Sequence, residues 1–153
     1  MSQNRVLWKG LVAGLVAGLV ATAAKTAAEK FYPPRVHGEP EPPEALAEKL
    51  AGHSLEEAPR AFAAESIHWG FGAAAGAAYG ALAEYFPAAT SKEGATFGLT
   101  LMSLTHEGAL PALGLAAEPE EQGLREHTSE AATHVLYGVV AEKTRAFVRR
   151  LLD

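Results

Sequence analysis

Four histidines and two glutamates carry most of the chemistry this chain can offer: His68, His106, Glu107, His127, Glu130 and His134. All six lie close to the end of an apolar stretch. Ionisable groups in such places are costly unless paired or hydrated, so they mark candidate sites by default. On a helix, Glu130 and His134 are about 40° apart and His127 about 20° from His134, which puts the three on one stripe. Glu65, three residues before His68, reproduces the Glu-x-x-His spacing of carboxylate-bridged di-metal bundles. The partner motif is Glu-x-x-x-His instead, and the first apolar stretch offers no ligand at this depth, so a ferritin-like di-iron centre fits poorly.

Three chemistries remain open for this set. The first is a metal site with His68, His106 and His134 as nitrogen ligands and Glu130 or Glu107 as an oxygen ligand. Such a set suits Zn, Fe, Mn or oxidised Cu, and haem b held by two of the histidines is a variant. The second is a proton or ion path, with Glu84 and Glu142 at its far mouth. The third is structural, with polar side chains bonding helix to helix. Catalysis is poorly supported. Ser103 and Thr105 lie close to His106, but no nucleophile elbow surrounds them. The glycines follow no phosphate-loop or dinucleotide spacing. The chain has no cysteine, and its net charge of −5 argues against nucleic acid as a partner.

The elements that must position these groups are four apolar segments, at about 6–28, 66–86, 94–112 and 128–148. They predict an all-α integral membrane four-helix bundle, a single domain over 1–153. The mean hydropathy of +0.02 hides this pattern, because the charges cluster between the segments. Gly10, Gly14 and Gly18 in the first segment and Gly72, Gly76 and Gly80 in the second recur every fourth residue. That spacing lets two helix backbones approach closely in lipid, and equally suits homo-oligomer assembly. Read alone, the first segment also resembles a cleavable leader, with Arg5 and Lys9 before it and Ala-Thr-Ala at 21–23 as the cut site. The alternative is then a secreted Ala-rich helical protein, but three further segments of the same kind favour a retained span.

Four spans put both termini on one side, together with the turn at 87–93. That side carries a charge balance of +3 against −8 on the other. Basic residues near span ends favour the cytoplasm, so the expected placement is the bacterial inner membrane with cytoplasmic termini and acidic outer loops. In the loop 33–65, Pro-Pro-Glu-Ala-Leu-Ala-Glu-Lys-Leu-Ala-Gly predicts a short surface helix ended by Gly52. A second helical start at Glu56 runs into span 2, Pro111 kinks or ends span 3, and His37 and His53 are solvated. With this topology, spans 2, 3 and 4 deliver His68, His106 and Glu130/His134 to a similar depth near the outer face.

Taken in order, Pro-Pro-Arg at 33–35, H…FG…G..YG..AEYFP at 68–87, HE…P.LGL at 106–115 and SE…H..YG…E ending at Glu142 resemble the YagU-like bacterial inner-membrane proteins. The resemblance covers nearly the whole chain. It implies a four-span cytoplasmic-membrane protein and supplies no catalytic mechanism. The outer loop after span 1 is compact here, which departs from the family pattern.

Overall fold

The computed structural model describes residues 5–35 and 40–153. It is all-α, with no strand among the described residues: α1 (Leu7–Phe31), α2 (Pro42–Ala51), α3 (Glu57–Tyr85), α4 (Ala95–Leu104), the helical turn α5 (Leu110–Ala112) and α6 (Leu124–Leu151). A π-helical turn at Thr105–Ala109 joins α4 to α5, and the chain leaves the helix just after Pro111, where the sequence predicts a break. The short loop helix also appears as expected. Prolines occupy the first positions of α2, and Gly52 ends it in the left-handed conformation (φ +74°). His53 is exposed, while His37 lies outside the described residues.

The bundle is organised around α1, which packs on α3 and on α6, while α6 packs on α4. Glycine makes the first contact possible. A Cβ on Gly14 would fall on the Gly76 carbonyl, and one on Gly80 would lie 2.7 Å from Gly14 Cα. The predicted pairing of the two glycine series is therefore realised inside one chain, which leaves neither series free for a partner. A second interlock escaped the sequence reading. A Cβ on Gly94 would strike the Gly138 carbonyl, and one on Gly98 the His134 carbonyl, so α4 and α6 are seated in the same way.

Small residues face inward and large apolar ones outward. Ala13, Ala17 and Ala21 of α1 are fully buried, while Trp8 is 56% and Leu15 45% exposed. Among the described helices, only α1 combines the length and apolar composition of a membrane span, with a mean hydropathy of 1.7 over its best window. An N-terminal leader would meet the same description. The other three expected spans miss it for identifiable reasons: the charge-free part of α3, Ser66–Ala83, is built mostly of Gly and Ala and is only weakly apolar, α4 stops at the π turn, and α6 carries Glu130, Glu142, Lys143 and Arg145 along its length.

At the end shared by both termini, buried charges are closely matched. Arg149 forks onto Glu84, with Nε and Nη2 donating at 2.8 and 2.7 Å, and its Nη1 reaches Asp153 at 2.5 Å. Glu84 also accepts from the Val6 amide at 2.8 Å. Beside this pair, Arg145 donates twice to Glu142 at 2.8 Å, and the Tyr79 hydroxyl donates to the same carboxylate at 2.6 Å. Between this end and the opposite one, Tyr79 stacks on Phe97 with ring centroids 4.1 Å apart, and Tyr137 packs beyond them.

Candidate functional site

At the opposite end α3 and α4 are not paired along their length, and a cavity of about 570 Å³ lies between them, with α1 and α6 forming its back. α2 packs on α3 and closes part of the cavity with Pro42, Pro43 and Leu46. The Tyr137 hydroxyl, donating to the Gly72 carbonyl at 2.7 Å, bounds it toward the core.

His106, Glu130 and His134 meet on the wall of this cavity. All three are buried, at 4%, 3% and 7% exposure. The π turn brings His106 to α6, where its Nε2 lies 3.5 Å from Glu126 Oε1 and 3.6 Å from Glu130 Oε1. Neither approach is a hydrogen bond, and this buried nitrogen has no hydrogen-bond partner in the structure. His134 is fixed differently. Its Nδ1–H donates to the Glu130 carbonyl at 2.8 Å, one helical turn back, and lies 3.3 Å from the Glu130 carboxylate. The two imidazole rings are 6.4 Å apart, centre to centre.

α1 brings no ligand to this layer but does bring a counter-charge, which the sequence reading did not foresee. Lys25 of α1 sits between Glu29 and Glu130, its ammonium 3.4 Å from Glu130 Oε2, and Arg35 donates to Glu126 at 3.2 Å. Glu126 was legible, since it stands four residues before Glu130 as Glu130 stands four before His134, all on one helical stripe. Lys25 carried no comparable signal, because it reads equally well as the end of a span.

The other expected members lie elsewhere. His68 lines the cavity but bonds the Thr26 hydroxyl at 3.0 Å. Glu107 turns to His127, not to His106. The His127 ring is held between the Pro119 carbonyl (3.0 Å from Nε2) and the Glu107 carboxylate (3.1 Å from Nδ1). These two acceptors, the carbonyl foremost, hold His127 above the usual histidine range.

Among the described residues, no group of three or more histidines and carboxylates is placed to hold a metal ion. Two contacts at Glu130 work against one: His134 turns Nδ1 to the Glu130 carbonyl, and the Lys25 ammonium already neutralises the carboxylate from the Oε2 side. Glu84 and Glu142, the expected far mouth of a path, are both engaged by arginine, with the Tyr79–Phe97 stack between them and the cavity.

No curated protein and no solved structure matches the chain. Its sequence does match a family model described as a protein of unknown function (DUF1440) over residues 19–143, a stretch that begins just after Gly18 in α1 and reaches the Glu142 layer of α6. On that match, the chain belongs to the DUF1440 family.

Proposed function

We propose that the protein is a four-span membrane protein in which His106, Glu130 and His134 form a proton-accepting centre on the outer side of the bundle. The observation that carries the proton reading is the buried His106 Nε2, without a hydrogen bond and 3.5–3.6 Å from two carboxylates. The charged groups around it do not balance. Lys25 and Arg35 face Glu29, Glu126 and Glu130, and one proton on the imidazole pair offsets the remaining negative charge. The reading is of a one-sided centre and not a through-path, because the aromatic stack and the arginine pairs interrupt any route to the far side.

Membrane placement is supported by the outward Leu, Val and Trp of α1 and by interlocked glycines, a pattern suited to lipid and unfavourable in water. Packing of α1 at the centre of the bundle favours its retention over cleavage after Ala23. The resemblance to YagU-like proteins points to the inner membrane with cytoplasmic termini.

Two experiments test this reading. Histidine ¹⁵N resonances followed from pH 4 to 9 should show His106 taking up a proton within that range, and Glu130→Gln should abolish it. A centre that stays neutral throughout would sink the proposal. Because the chain lacks cysteine, Lys92→Cys and Glu120→Cys can be labelled singly with an impermeant maleimide in intact cells. Only Glu120→Cys should react.

A further inference from the structure

The cavity is larger than a proton-accepting centre requires, and its wall divides by chemistry. At about 570 Å³ it falls within the range of small-molecule sites, about 300–1,000 Å³. Ile67, Phe71, Leu101, Leu110 and Leu115 make most of its lining apolar. The charged groups at its polar end are already committed to each other. Lys25 is held by Glu29 and Glu130, and Arg35 by Glu126, so a charged ligand head would have to break an existing ion pair. At the rim the exposed charges are Lys30, Glu41 and Glu65, a net negative set that disfavours an anionic head.

The chemistry left for a ligand is neutral. His134 uses Nδ1–H on the Glu130 carbonyl, which fixes the neutral tautomer and leaves Nε2 as a lone-pair acceptor. No described residue bonds that nitrogen, and His134 lines the cavity. The 96%-buried His106, with its unpartnered Nε2, lines the same wall. An acceptor deep in an apolar pocket selects a ligand that brings an O–H donor on an apolar body.

We propose that the cavity between α3 and α4 binds an uncharged amphiphile with a hydroxyl head, its O–H donated to His134 Nε2 and its chain laid along Phe71 and Leu110. The proposal uses the same imidazoles as the proton-accepting centre, but does not require their charge to change.

The test uses the full chain, ¹⁵N-labelled at histidine, in lipid nanodiscs titrated with 1-decanol. Decane, 2-decanone, decanoate and decylamine serve as chain-matched probes at the same mole fraction in lipid. Decanol should shift the His134 Nε2 resonance saturably, at least fivefold more than the other four. Ala64→Trp, which fills the cavity from α3, should weaken the response at least tenfold. Should that variant not fold, Ile67→Phe serves, with the same loss expected. A shift that only grows linearly is partitioning into lipid and overturns the proposal. So does a decanoate or decylamine response equal to that of decanol, or indifference of a folded Ala64→Trp protein. A protein whose His106 takes up a proton but whose His134 ignores decanol overturns ligand binding and leaves the proton centre standing. Saturable decanol binding without titration does the reverse.

Discussion

The two ends of this bundle hold similar residues and treat them differently. Where the termini meet, each buried charge has a partner of matching shape at hydrogen-bond distance: the Arg149 fork on Glu84, the Arg145 fork on Glu142, and the Tyr79 hydroxyl. At the other end, Glu126 and Glu130 approach the His106 and His134 rings to 3.3–3.6 Å without closing into bonds, and one buried nitrogen is left over. Breaking a well-matched pair leaves an uncompensated charge and costs stability. A poorly matched cluster has charge states close in energy, which is what a responsive site needs.

Both ends depend on the close approach of α1 and α3, so the largest expected effect is common to them. Gly76→Leu would drive its side chain into Gly14 and Gly18. It should lower stability by about 3 kcal/mol or abolish the folded bundle, read as the unfolding midpoint in detergent. A small loss would mean the two backbones are not in contact. Next comes the matched end: Arg149→Met should cost about 2–3 kcal/mol by stranding Glu84, and adding Glu84→Met should restore most of it. If the double variant is as weak as the single, the pair is not acting as a unit.

At the unmatched end Glu130→Gln should cost about 1–2 kcal/mol, less than Arg149→Met, because Lys25 keeps Glu29. A loss comparable to that of Arg149→Met would erase the contrast between the ends. The smallest effect concerns His127, whose folded ring holds its proton more tightly than an unfolded histidine of pKa about 6.5. Its stabilisation is therefore complete below that value and is lost as the pH rises through the raised one. Protection from hydrogen exchange over residues 116–123, which the Pro119 contact ties to α6, should fall across that interval once the base-catalysed rise in intrinsic exchange is divided out. In His127→Gln that fall should vanish.

Much of the architecture was legible because small residues repeat at helical spacing. Gly10/Gly14/Gly18 and Gly72/Gly76/Gly80 announced the α1–α3 contact, and Pro42, Gly52 and Pro111 marked helix ends. The α4–α6 contact was not announced, since Gly94 also ends a turn and Gly138 stands alone in its helix. At the site, spacing along α6 correctly grouped Glu130 with His134 but placed His127 with them, where a nearby carbonyl and Glu107 claim its ring. Lys25 and Arg35 were missed for a general reason. Their partners are about a hundred residues away in sequence, and periodicity reports only the face of a helix, never what it meets.

The π turn at Thr105–Ala109 changes the arithmetic of one helix. A π turn holds one residue more than an α turn, so the residues beyond it are rotated by about 100° from where an unbroken helix would carry them. Deleting Gly108 would remove that extra residue and return α4 and α5 to one helical phase, with the ladder still open at Pro111, which has no amide hydrogen to donate. It would also separate His106 from the register of the chain beyond it. The imidazole would no longer share a phase with the turn that leads into Leu113 and the cavity mouth.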